Sequence, residues 1–266
     1  MKKLIITSLS FCILFMISAI TTFADNEYAE SSLINFLEAA KDVNVSEMER
    51  YVNDERYENE EVLRQNYLEN LTANKLIDFK IVDETPLQKE DKYTFTTQLV
   101  FENGAVEQVP FDLVLKNEKW LVSIDFDSLT VDEYEILKEG EVEEDIGLRS
   151  DTLCSWNFWA RAGGSTFYSN CTFSLNRFNP DLNLTVSKQT HNWSGRAAGV
   201  NYAVVRNNWY GDTVYGSRHV SGHITSRPSN FTLTVSDTNV SNLKVRFRTD
   251  QGFTSSMGYE GSGSLR

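Results

Sequence analysis

Between residues 28 and 74 the apolar positions recur at helical spacing, and from residue 75 onward they alternate with polar ones. The stretch YAESSLINFLEAAKDV sets Leu33, Phe36, Leu37 and Ala40 on one stripe, which predicts a helix. Ser46 followed by Glu49 is a capping-box pattern and predicts a short helix over SEMERYVND. A third helix, NEEVLRQNYLENLTAN, carries Val62, Leu63, Tyr67 and Leu71, with acidic residues in its first turn where the helix dipole favours them. Strands follow. KLIDFKIVDETPL alternates Ile77, Phe79 and Ile81 against Asp78, Lys80 and Val82. KYTFTTQLVFENG alternates Tyr93, Phe95, Thr97 and Leu99 and ends at Asn103-Gly104, a hairpin turn. VEQVPFDLVLKNEKWLVSIDF predicts two strands joined at Lys116-Asn117-Glu118. The first puts Phe111, Leu113 and Leu115 on one face, and the second does so with Trp120, Val122 and Ile124. Thr130 and Glu133 form a further capping box, predicting a helix that stops at Gly140.

The second half reads as strand throughout. NFTLTVS alternates Phe231, Leu233 and Val235 against Thr232, Thr234 and Ser236. NLKVRFRTD puts Leu243, Val245 and Phe247 on one face and Lys244, Arg246 and Arg248 on the other. Similar runs occur at 153–161, 166–177, 182–189, 200–209 and 213–225, with turn residues between them. That spacing predicts an antiparallel β-sandwich or small barrel. GSGS near the C-terminus reads as a flexible tail.

Charge divides the chain at the same place. Residues 25–150 hold 32 acidic and 12 basic residues, a net of −20, whereas residues 151–266 hold 6 acidic and 11 basic, a net of +5. The seam, KEGEVEEDIGLRSD, reads as an acidic linker. The N-terminus, MKKLIITSLSFCILFMISAITTFADN, has a basic start, an apolar run and a small residue at Ala24. It reads as a secretory signal cleaved after Ala24, with an uncleaved anchor as the alternative. The plan is then a signal peptide (1–24), an acidic α+β domain (25–138), a linker (139–150) and an all-β domain (151–266). Overall acidity argues against nucleic acid as a partner, since phosphate binding needs a dominant basic surface; a local exception stays open for the C-terminal half, whose basic excess is small. The acidic half either presents a solvated face or docks on the basic half.

Helices first, then a curled antiparallel sheet ending in LVLKNEKWLVS, resembles the NTF2-like superfamily over about residues 28–127, and in particular its small secreted and lipoprotein members from Gram-positive bacteria. The resemblance implies a cone whose mouth can hold a small ligand. The superfamily includes enzymes and non-catalytic binding modules, so the fold leaves function open. Its enzymes usually set Asp, His or Tyr inside the cone. No histidine precedes His191 here, and Asp78 and Asp112 alternate away from the apolar face. A structural cone or interaction surface is the reading adopted. No family is assigned to the C-terminal half.

Candidate chemistry in the second half is sparse. Cys154 and Cys171 form the one possible pair of the mature chain, and CSWNFWARAGGSTFYSNC reads as a disulfide-bridged hairpin turning near Ala162-Gly163. In that register Trp156 faces Ser169 and Phe158 faces Phe167. His219 and His223 stand four apart, so a strand puts both on one face. Joined by His191 they are weak candidates for zinc, which needs three or four ligands. Two solvent-facing strand histidines is the reading preferred, with no metal and no cofactor. No Gly-x-Ser-x-Gly elbow occurs. The segment THNWSGRAAGVNYAVVRNNWYGDTVYG interleaves aromatics with Asn, Arg, Gly and Asp. Trp193, Arg196, Tyr202, Trp209, Tyr210 and Tyr215 are the candidate ligand-binding residues, since sugar rings and protein interfaces both favour such groups. Core packing competes for most of them.

The sequence therefore predicts a secreted, non-enzymatic binding protein of the bacterial cell exterior, its β domain recognising a cell-wall glycan or a protein. The rivals are a secreted hydrolase using the C-terminal histidines, and a membrane-active, bacteriocin-like toxin.

Overall fold

The computed structural model describes residues 26–57, 59–86, 92–125, 135–138, 152–161, 164–176, 181–192, 197–236, 239–250 and 258–266. The expected signal peptide, the linker, Trp193 and Arg196 lie outside these residues. No helix among them is long and apolar enough to cross a membrane.

The first part is built from three helices, α1 (26–41), α2 (Val45–Met48) and α3 (Glu60–Ala73), and six strands. These are β1 (Val52–Asp54), β2 (Leu76–Pro86), β3 (Lys92–Phe101), β4 (Val106–Lys116), β5 (Lys119–Ile124) and β6 (Glu135–Lys138). They form one sheet in the order β1-β5-β4-β3-β2, with β6 pairing along β4. The β1–β5 pair is parallel and the others are antiparallel. The apolar stripe of α1 is fully buried at Leu33, Phe36, Leu37 and Ala40, against Leu63, Tyr67 and Leu71 of α3 and the inward residues of β3, β4 and β5.

Three local expectations need correction. Asn44 caps α2, its side chain accepting from the Glu47 amide, so the helix starts before Ser46 and Val52–Asp54 is strand. Residues 135–138 pair with β4 as strand, where a capped helix was expected: the pairing partner offered by Val106–Gln108 outweighs a weak local signal. A register shift between Leu76 and Asp78 turns Ile77 outward, leaving it 46% exposed while Leu76 is buried.

Among the described residues the second part holds nine strands: β7 (Cys154–Arg161), β8 (Thr166–Tyr168), β9 (Phe173–Asn176), β10 (Asp181–His191), β11 (Gly199–Asn208), β12 (Gly211–Ser221), β13 (Ser229–Thr234), β14 (Asn239–Thr249) and β15 (Tyr259–Leu265). They form two antiparallel sheets, β13-β10-β15-β7 and β12-β11-β14-β8, with β9 pairing β14 beyond β8. Both sheets are open, and their inward residues make one shared core from Trp156 and Leu184 to Tyr202, Val245 and Phe247.

The disulfide Cys154–Cys171 is present, with Cα atoms 5.7 Å apart, but it does not cross a hairpin. β7 pairs with β15 and β8 pairs with β14, so the bridge ties one sheet to the other. Phe158 does meet Phe167, at 4.8 Å between ring centroids, across the core instead of along a ladder. Closing a loop of this size contributes about 3 kcal/mol. GSGS is not a tail. It lies in β15, between β10 and β7. A Cβ on Gly261 would lie 2.3 Å from the Phe158 ring, and one on Gly263 would lie 2.8 Å from the Trp156 ring. The glycines let two core aromatics lie on the β15 backbone.

Candidate functional site

Strands β11 and β12 form a long hairpin whose turn is Trp209-Tyr210, closed by Gly211 at φ 133°. Turn residues ordinarily meet solvent. These two belong instead to the core of the first part. Trp209 packs on Phe36 of α1 (ring centroids 5.6 Å apart) and on Phe111 of β4 (6.5 Å), and Tyr210 packs on Phe101 of β3 (6.1 Å). The space between α1 and the sheet is thus a socket filled by the chain's own hairpin. The Trp209 indole N–H has no hydrogen-bond partner there, so ring burial holds it.

A buried polar cluster surrounds the plug. Arg56, with its side chain fully buried, follows β1. It donates to both oxygens of Asp54, to Asp212 Oδ1 (2.9 Å) and to the Asn208 carbonyl (2.8 Å). Asp212 also accepts from Asn207 (2.8 Å), Tyr168 (2.7 Å) and Arg246 (3.0 Å). Its two oxygens therefore carry at least four bonds, about the capacity of a carboxylate. The Tyr67 hydroxyl of α3 donates to Asp54 at 2.8 Å. Beside this cluster, buried Glu107 of β4 accepts from Arg206 (2.9 Å) and from the Tyr210 hydroxyl. The acidic half docks on the basic half through these specific buried groups.

Electrostatics explains why the cluster stays charged. Burial alone would raise the Asp212 pKa, but Arg56 and Arg246, with the Tyr168 and Asn207 hydrogen bonds, hold it below the ordinary carboxylate value. Burial likewise opposes the Arg56 charge, and Asp54 and Asp212 outweigh it. Burial pushes Tyr57 up to about 12 and Tyr67 and Tyr168 well above their usual value, so all three remain protonated. A depressed folded-state pKa means that Asp212 contributes its stability in full above its unfolded value of about 3.9. That contribution is lost as pH falls through the lower folded value. Urea titrations from pH 7 to 3 are therefore expected to show the socket contact intact at pH 5 and weakening below about pH 4. The Asp212→Asn variant should lack this part of the acid slope.

The four described residues of the predicted aromatic patch are buried and do not form an exposed surface. Tyr202 is fully buried, and Trp209, Tyr210 and Tyr215 are between 2% and 6% exposed. Tyr202 and Tyr215 belong to the β core, and Trp209 and Tyr210 are the plug. The three histidines do not converge either. His191 and His223 rings meet at 4.7 Å, whereas His219 pairs with Asp250 at 2.9 Å. Strand β12 ends at Ser221 and Gly222 takes φ 97°, which carries His223 away from the His219 face. Among the described residues no group of three or more His, Cys, Asp and Glu is placed to hold a metal ion. Ser221 Oγ lies 3.2 Å from His219 Nδ1, giving a Ser–His–Asp chain. Its histidine and aspartate side chains are 46% and 42% exposed, whereas transition-state stabilisation relies on a water-excluded site. The chain serves as a cross-strand link: a Cβ on Gly199 would lie 1.7 Å from Asp250, so Gly199 lets the carboxylate reach over β11.

The sequence reading missed Arg56, Asp212 and Trp159. Trp159 of β7 is 77% exposed on the outer side of its sheet. An open groove of about 640 Å³ also lies beside α1, lined by Tyr28, Arg50, Tyr51, Leu115 and Trp120 among others.

Comparison of the chain with family models, curated proteins and solved structures returns no match.

Proposed function

We propose that this is a non-enzymatic recognition protein of the bacterial cell exterior, in which the α+β unit is a cradle and the β unit carries the ligand surface. The filled socket carries this reading. In an NTF2-like cone the mouth is where a small ligand or catalytic groups would sit, and here Trp209 and Tyr210 occupy the space between α1 and the sheet. The cradle fixes one end of a β-sandwich, leaving the outer face of its other sheet open. A secreted location is supported by the leader-like N-terminus and by a disulfide that ties two sheets together.

The test is sedimentation of the purified mature chain with intact Gram-positive cells and with their purified walls. Retention that survives 0.5 M salt, without release of wall fragments, is the expected result. A chain that stays in the supernatant, or that cleaves the wall, would overturn the reading.

A further inference from the structure

Among the described residues, the outer face of the β13-β10-β15-β7 sheet carries one large aromatic side chain, Trp159, with Asn157, Ser262 and the Lys188–Glu260 ion pair near it in register. We infer that this face is a binding site for a neutral polysaccharide, with Trp159 as the platform on which a pyranose ring stacks. The inference rests on the recognition reading above and names its ligand class.

Four observations carry it. First, Trp159 is 77% exposed on a strand whose alternate residues Trp156 and Phe158 are buried, so its exposure is a property of the face and not of a frayed end. Second, the strand that bears Trp159 is anchored from beneath. Phe158 and Trp156 lie on the backbone of Gly261 and Gly263, and the Cys154–Cys171 bridge ties the start of the same strand to the other sheet. An anchored strand loses little backbone freedom on binding.

Third, two bulges re-aim side chains around it. The β7–β15 register shifts between Tyr259 and Gly261, so Trp159 and Ala160 together oppose Glu260. The β10–β15 register shifts between Val186 and Lys188, and Ser187 and Lys188 are both exposed there. Bulges commonly redirect side chains at functional edges. Fourth, the groups nearest in register suit a polyhydroxylated, uncharged partner. Asn157 and Ser262 face outward, and Lys188 is bonded to Glu260, so their charges cancel. Amides, hydroxyls and a neutralised ion pair offer donors and acceptors to sugar hydroxyls without selecting an anion. Among the described residues Trp159 has no wider exposed apolar surround on this sheet, which gives a protein partner little to desolvate, while its face matches the apolar face of a sugar ring.

The experiment uses the full mature chain in affinity electrophoresis through gels containing soluble β-glucan, galactan or chitooligosaccharide, with heparin as the anionic comparator. Wild type, Trp159→Ala and, as a control at the opposite sheet, His219→Ala are run together. Retardation by a neutral glycan, weakened more than about tenfold in Trp159→Ala with an unchanged melting temperature and kept in His219→Ala, is the expected result. Retardation kept in Trp159→Ala would overturn the site. Retardation by heparin alone would overturn the ligand class. Sedimentation with cells but no retardation by any neutral glycan would also overturn the ligand class while leaving the recognition reading in place. Failure of both assays would remove both proposals.

Discussion

Arg56→Ala is expected to lower the stability of the full chain by about 3–5 kcal/mol, the cost of breaking a buried ion pair by removing one partner. The guanidinium spans the two units: Asp54 lies on one side, Asp212 and the Asn208 carbonyl on the other. Without it, both carboxylates remain in the interface. Asp212 keeps Arg246, Tyr168 and Asn207, but Asp54 loses its cation and keeps the Tyr67 hydroxyl and the backbone N–H of residue 56. The penalty comes from the stranded Asp54 charge more than from lost attraction, and this separates the account from a generic loss of contacts. Adding Asp54→Asn to Arg56→Ala should recover part of the loss, since burying a neutral amide costs less than burying an unpaired carboxylate, whereas Asp212→Asn should not, because it leaves the buried Arg246 without its carboxylate. Urea denaturation of the single variant and the two double variants reads this directly. A single variant within 1 kcal/mol of wild type would show that the cluster does not hold the units together.

Trp209→Ala is expected to cost a similar amount, about 3–5 kcal/mol, by a different route. The substitution sits in a turn of one unit and empties the core of the other. Phe36 and Phe111, which also meet each other edge to face, both lose the ring packed on them, and a cavity opens that local collapse can fill only in part. Because the β core proper contains Tyr202 and Phe247 and not Trp209, the damage should fall on the α+β unit. Hydrogen exchange should then show lost protection in α1 and β4 and retained protection in β10, β14 and β15. Loss confined to the β11–β12 hairpin would contradict the socket. Trp209→Phe should lose less, because it keeps most of the ring and removes an indole N–H that has no partner.

These two residues show where sequence reasoning reached and where it stopped. Periodicity placed α1, α3 and the alternating strands, because one-sided burial imposes a local repeat. It put Leu243, Val245 and Phe247 on the face that fills the β core, as found, and Arg246 on the opposite face, where the structure buries it against Asp212. It failed where a distant partner decides the local state. Residues 135–138 became strand because β4 has an unpaired edge there. GSGS became a central strand because Trp156 and Phe158 take the room that side chains would need. The cysteine pair was legible from compartment and count, but not the sheets it joins, because a facing pair across a core and one across a hairpin give the same spacing. The aromatic segment was read as a choice between an outward patch and core. Two of its residues fill the core of the other unit, a third possibility. A signal for it existed: NNWYGD places two large aromatics where a two-residue turn would expose them, and such residues at a hairpin tip ask for a cover. Arg56 carried no comparable signal, since a single arginine after a short strand looks like any surface cation.

The central claim is that the two units, despite opposite net charge and separate cores, behave as one body through the plugged socket. Scanning calorimetry of the mature chain tests it most directly. The account predicts one endotherm with equal calorimetric and van't Hoff enthalpies, splitting into two in Trp209→Ala. Two well-separated endotherms in the wild-type chain, unmoved by Trp209→Ala, would contradict it.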